Sequence, residues 1–150
     1  MGYCLSVKIK SPLSQVWHCW TSSQETHRWL APKTKVEFYP GGAYEFFWGD
    51  NPEKDSTLGC KLIDLEPERF LKFEWQGRTE FLHLFIPPKG KRTTIQVQFD
   101  SYDSGTVVTL LQPETRPGKD WRDYETWMSH AWEIALEALK DYCQKSASSE

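Results

Sequence analysis

The chain is expected to adopt an α+β fold, an antiparallel sheet of about six strands packed against one long C-terminal helix, with two short helices after the first strand. Three observations predict it. A run from Asp120 to Cys143 contains neither Pro nor Gly and follows Pro117-Gly118, which break whatever precedes it. The middle of the chain alternates apolar and polar residues with a period of two, the mark of strands with one wet face. Between the first such strand and the rest lie two short segments of helical period, each opened by a capping signal.

Taken in order, Tyr3 to Lys10 reads as the first strand, with Tyr3, Leu5, Val7 and Ile9 on one face. Met1-Gly2-Tyr3-Cys4-Leu5-Ser6 also fits the loose N-myristoylation pattern. The alternation requires this segment to pair in a sheet, so the strand reading is adopted. Ser11 serves as N-cap and Pro12 as first residue of a short helix carrying Leu13, Val16, Trp17 and Trp20. Ser22-Ser23-Gln24-Glu25 reads as a capping box opening a second short helix that ends before Pro32.

From Lys33 the period becomes two. Val36 and Phe38 lead to Gly41-Gly42, a hairpin or bulge, and then Tyr44, Phe46 and Trp48 share one face of the next strand. Leu58, Cys60 and Leu62 mark a further strand, turning at Glu66-Pro67-Glu68. Leu71, Phe73 and Trp75 alternate with Lys72, Glu74 and Gln76 and stop at Gly77. Thr79 to Ile86 has no single period and is expected as a short strand or a covering loop. Ile95, Val97 and Phe99 form the next strand, and Thr106 to Leu111 returns after Asp103-Ser104-Gly105.

In the last helix a step of about 100° per residue gathers Trp121, Tyr124, Met128, Ala131, Trp132, Ala135, Leu136, Leu139, Tyr142 and Cys143 into one stripe. Asp123, Thr126, His130, Glu133, Glu137, Lys140 and Asp141 fall opposite. Such a stripe needs a large apolar surface to lie on, and the sheet supplies it. The whole chain, residues 1–150, is read as a single domain with Ser146 to Glu150 as a disordered tail.

Composition narrows the function. A net charge of -3 offers no basic field for nucleic acid or an anionic membrane. No apolar run approaches the roughly 18 residues of a membrane span, and no secretory signal precedes the first strand. Cys4, Cys19, Cys60 and Cys143 lack C-x-x-C spacing, so reduced thiols and a cytoplasmic protein are expected, with no metal and no cofactor indicated. Eight Trp, eight Phe and six Tyr either fill a core or line a cavity. The four histidines have no mutual ligand spacing.

The order of elements, "VKIKSPLSQVWHCWTSSQETHRWL" (7–30), "VEFYPGGAYEFFW" (36–48) and "WMSHAWEIALEALKDYC" (127–143) resemble the START-like (SRPBCC) superfamily, and within it relatives of the activator of heat shock protein ninety ATPase. Pro12, Val16 and Trp17 match the family's first helix, Gly41-Gly42 its hairpin glycines, Glu66-Pro67 its mid-sheet turn and Trp132 the tryptophan of its last helix. Members often carry Gly before that tryptophan; this chain has Ala131, which bears on how closely helix and sheet approach. The resemblance implies a helix-grip fold, a curved sheet wrapped on the long helix with a cavity between them.

On that expectation Tyr44, Phe46, Trp48, Phe73, Trp75, Trp121 and Met128 are the candidate pocket residues, with Glu125 at the stripe's edge either orienting a ligand or pairing with a nearby cation. Three functions follow. The first is a non-enzymatic binding module for a small apolar or aromatic ligand. The second is a protein-interaction module, a partner of chaperones or a stress factor, monomeric or homodimeric. The third is a cyclase or aromatase with Glu125 and His83 as first suspects.

Overall fold

The computed structural model describes residues 2–88 and 90–148. Seven strands and three α-helices follow one another as β1 (Tyr3–Ile9), α1 (Leu13–Thr21), α2 (Ser23–Trp29), β2 (Lys33–Val36), β3 (Tyr44–Phe47), β4 (Leu62–Glu66), β5 (Phe70–Trp75), a 3-10 helix (Thr79–Leu84), β6 (Thr93–Tyr102), β7 (Gly105–Gln112) and α3 (Lys119–Ser148). The expected single sheet is two. Five strands run antiparallel in the order β1-β7-β6-β5-β4, and β2 pairs with β3 alone. The two are stitched through an Ala43–Lys61 bridge and by the Tyr44 N–H donating to the Cys60 carbonyl at 3.0 Å. The helix-grip arrangement is present: a curved antiparallel sheet against a long C-terminal helix.

Alternation sets the sheet's faces. On β5 the buried residues are Leu71, Phe73 and Trp75, and on β6 Thr93, Ile95, Val97 and Phe99. Val108, Leu110 and Gln112 continue that face on β7. Against it α3 lays Trp121, Tyr124, Met128, Trp132, Leu136, Leu139 and Cys143, all buried. Ala131, Ala135 and Tyr142 of the expected stripe are only partly covered. At about 1.5 Å per residue the 30-residue helix is about 45 Å long, and it meets α1 and α2 as well. It continues through Ser148, into the stretch expected as a tail; residues 149–150 lie outside the described residues.

Several local expectations are corrected. Pro12, not Ser11, caps α1: its carbonyl accepts from the N–H groups of Gln15 and Val16, both at 3.1 Å. Ser11 turns inward instead, 1 % exposed, its carbonyl accepting from Thr106 Oγ1 at 2.9 Å. Ser22 caps α2 through the Gln24 N–H, but the box is not closed, because the Glu25 carboxylate reaches the Tyr142 hydroxyl at 2.9 Å. α3 starts at Lys119, and Asp120 sits in its first turn, where its carboxylate meets His83 Nε2 at 3.0 Å.

Leu58 and Cys60 are not in a strand either. Gly59 takes φ +89°, which curls 58–60 into a turn, and β4 begins only at Leu62. Thr79–Leu84 is neither strand nor loop but the 3-10 helix.

Candidate functional site: a tryptophan-lined cavity on the flank of the long helix

Packing decides where an open space can exist. Over the middle of the sheet, aromatic rings in contact take it up. Tyr44, Phe46 and Phe73 are fully buried and in ring contact, with Tyr44 centred 4.8 Å from Phe46 and 4.7 Å from Phe73. Trp75 continues the chain of rings to Trp132 at 4.8 Å, and Trp132 stacks on Trp20 at 6.2 Å. The Tyr44 hydroxyl is spent on the Trp20 carbonyl at 2.8 Å. Centroid separations of about 4.5–7 Å are those of touching aromatic rings, so the centre of the grip is filled.

At the other end of the helix a second aromatic group closes the sheet. Trp121 and Tyr124 pack with Phe85, and Tyr124 with Phe81. Beneath them lies a polar knot. Gln112 Oε1 accepts from the Tyr3 and Tyr124 hydroxyls, both at 3.2 Å, and from Thr93 Oγ1 at 3.5 Å. Burial pushes the Tyr3, Tyr44 and Tyr124 phenols well above the ordinary value, so all three stay protonated donors. Glu125 is half-buried and accepts from the Trp121 indole N–H at 2.6 Å. Among the described residues it does not line the cavity on the flank of α3 and forms no ion pair.

The open space lies on the flank of α3. A cavity of about 770 Å³ is walled by Trp127, Met128, Ala131, Trp132, Ile134, Ala135 and Ala138 of the helix. Its other wall is Trp29 and Leu30 at the end of α2, Trp48 after β3, Asp55 and Ser56, and the run Trp75 to Glu80. Of the eight candidate residues, Trp48, Trp75 and Met128 line it. Tyr44, Phe46, Phe73, Trp121 and Glu125 do not.

Trp75 and Trp132, each 1 % exposed, form the floor; Trp48, 42 % exposed, and Ile134, 61 % exposed, stand at the mouth. Gly77 allows the strand end to pass under the helix here, since a Cβ would meet the Tyr124 ring at 2.9 Å.

The polar atoms of the wall are largely committed. Gln76 donates to the Ser56 carbonyl at 3.0 Å and accepts from Arg92 Nε at 3.0 Å, while Arg92 reaches on to the Leu58 and Gly59 carbonyls. The Trp48 indole donates to the Leu30 carbonyl at 3.0 Å, and the Trp75 indole to Met128 Sδ at 3.3 Å. The arrangement suits apolar and aromatic contact with few orienting groups. His83, in the 3-10 helix, is exposed and held by Asp120, away from the wall. Among the described residues no cluster of three or more His, Cys, Asp or Glu is placed to hold a metal.

Sequence reasoning missed Trp127, Ile134 and Ala138. A signal existed: their spacing of seven and four places them on one helical line, beside Ala131 and Ala135. They widen the apolar arc on one side only, toward the cavity.

Comparison with known proteins bears on this geometry. A profile of the family described as Activator of Hsp90 ATPase homolog 1-like protein matches residues 10–144. Among solved structures, protein MLL2253 from Mesorhizobium loti superposes with a TM-score of 0.75 at 20% identity, covering 93% of both chains. The Aha1 dimer from Colwellia psychrerythraea gives 0.75 at 15% identity and 96% of both chains. DynU16, described as a putative protein in the dynemicin biosynthetic locus, gives 0.67 at 18% identity over 93% of this chain and 45% of its own. Identities this low speak to the fold. Comparison with curated proteins returns no match.

Proposed function

The chain belongs to the Activator of Hsp90 ATPase homolog 1-like family, and on that premise we propose that it is a non-enzymatic binding module for a small hydrophobic or aromatic ligand held on the flank of α3. The observation that carries this reading is the cavity of about 770 Å³ lined by Trp48, Trp75, Trp127 and Met128. That size falls within the range of small-molecule sites, about 300–1,000 Å³, and the lining is the kind such sites use. The site proposed is the groove between the flank of α3, the end of α2 and the end of β5. Cys4, Cys19, Cys60 and Cys143 are free thiols, with the Cys19 and Cys143 sulfurs 3.3 Å apart. Among the described residues no helix is long and apolar enough to cross a membrane.

The test is native mass spectrometry of freshly purified protein, beside a denatured control. The expected result is an added mass lost on denaturation and diminished in Ala135→Trp, which fills the groove. A bare mass for the wild type, with no thermal shift from any of a panel of apolar ligands, overturns the reading. A saturating ligand at about 100 times its Kd stabilises by about 2.7 kcal/mol, which raises the Tm of a domain this size by about 5–10 °C.

One observation favours a second reading, a protein-interaction module. Ile134 and Trp48 are large apolar residues, both exposed and both lining the cavity. A partner's side chain, from a chaperone or from a second copy of this chain, would seat there; the similar Aha1 of Colwellia psychrerythraea is described as a dimer. Sedimentation of wild type and Ile134→Glu distinguishes them: self-association lost in the variant supports a homodimer, and two identical monomers count against it.

A further inference from the structure

The cavity wall carries three charged side chains, Asp55, Arg78 and Glu80, among five indoles. Two of the three neutralise each other. Arg78 lays its guanidinium over the Trp127 ring, 4.8 Å from the centroid, and both its Nε and its Nη2 meet Glu80 Oε1. The Trp127 face is therefore already serving as a platform for a cation, supplied by the protein itself.

Asp55 is different. Its Oδ1 accepts from the Thr79 N–H at 3.1 Å, and its own N–H donates to Thr79 Oγ1 at 2.9 Å. The Trp48 N–H donates to the Asp55 carbonyl at 3.3 Å. These three bonds hold the residue at φ 48°, a conformation Asp tolerates better than most side chains. Asp55 Oδ2 has no hydrogen-bond or ion-pair partner among the described residues. The wall thus presents one uncompensated carboxylate beside the most exposed indole of the site.

An indole face is the negative end of a quadrupole, and a carboxylate adds a full charge of the same sign. Both repel an anion and favour a cation. We propose that the cavity takes an organic monocation, a protonated amine or quaternary ammonium on a planar apolar body, with its positive head at Asp55 and the indoles of Trp48 and Trp127. The apolar body then lies along Ala131, Ala135 and Ala138. This assignment rests on the reading of the cavity as a ligand site and names the chemistry of what fills it. Arg78 is an internal competitor for one of the faces.

The experiment uses three naphthalene probes of equal shape, bearing a trimethylammonium, a neutral tert-butyl or a carboxylate group, titrated calorimetrically. In wild type the ammonium probe binds about 5- to 30-fold more tightly than the neutral one, through the Asp55 charge acting together with the indole faces, and the carboxylate weakest. Asp55→Asn keeps the Thr79 bond and the backbone conformation; it removes most of the ammonium preference and leaves the neutral probe unchanged. Arg78→Ala frees the Trp127 face and the Glu80 carboxylate, and strengthens ammonium binding.

Neutral and ammonium probes binding equally overturns the cation assignment, and a preference undiminished in Asp55→Asn overturns the placement of the positive head at Asp55, each leaving the ligand site intact. Carboxylate binding that is tightest and is lost in Arg78→Ala overturns it in favour of an acid. Failure of all three probes overturns both readings.

Discussion

Substituting Trp75 and Trp127 separately tests the distinction between a filled grip and an open flank. Trp75 is 1 % exposed, and its ring centre lies 4.8 Å from Trp132, 5.5 Å from Phe73, 5.8 Å from Phe46 and 6.2 Å from Trp48. Replacing a buried Trp by Ala costs about 3–5 kcal/mol, and four ring partners place this site in the upper half of that range. A domain of this length loses about 2–4 °C of Tm per kcal/mol, so Trp75→Ala is expected to melt about 8–20 °C below wild type. Trp127 is only half-buried, and its ring partners are Phe81 at 5.9 Å and the Arg78 guanidinium. Trp127→Ala is expected to cost about 1 kcal/mol, since surface positions rarely cost more. Urea unfolding followed by far-ultraviolet circular dichroism reads both, and the slope with denaturant should stay constant. Equal costs for the two variants would refute the account, because Trp75 would then be wall and not floor. Trp75→Ala is accordingly the wrong variant for measuring ligand affinity, since it removes core along with contact.

Gln112→Leu removes the acceptor that the Tyr3 and Tyr124 hydroxyls share while Thr93 keeps the Trp75 carbonyl, so a loss of about 1–3 kcal/mol is expected from urea titration. Combined with Tyr124→Phe the costs should fall short of their sum by about 1 kcal/mol; strict additivity would dismiss the knot. Stability should also fall in alkali. Burial pushes the Cys60 thiol up from 9.0 to about 12 and raises Tyr3, Tyr44 and Tyr124 above 10.0, so the unfolded chain loses these protons first and binds fewer of them. The urea midpoint is therefore flat with respect to these groups below pH 9 and declines from pH 9 toward 12, by about 1.4 kcal/mol per pH unit for each group in its window. A midpoint unchanged at pH 11 would contradict their burial.

The fold was largely legible because its signals are periodic. The Pro117-Gly118 break and the uninterrupted stripe beyond it specify α3, and β5 and β6 announce themselves by alternation with charged or amide neighbours. What local pattern could not convey was how a side chain is shared between neighbours. Leu58, Cys60 and Leu62 alternate like a strand, yet the left-handed Gly59 between them bends the chain away. Ser11 has the chemistry of a cap, but the β7 hydroxyl of Thr106 claims its carbonyl and the side chain turns inward. The site was half legible for the same reason. Tyr44, Phe46 and Phe73 do point inward, but three rings at contact distance leave no room, and only their summed volume in three dimensions decides that. Ile134 lies on one helical line with Trp127 and Ala138, and becomes part of a groove only when α2 and the end of β5 are brought alongside.

The most direct test of the flank cavity is a crystal structure of the protein with a brominated naphthyl-trimethylammonium probe, its bromine located by anomalous scattering. The account predicts one dominant bromine peak within contact of Ala135 and Ala138, and the ammonium beside Asp55 and Trp48. A peak between α3 and the sheet, among Tyr44, Phe46 and Phe73, would contradict the filled grip and return the site to the interior.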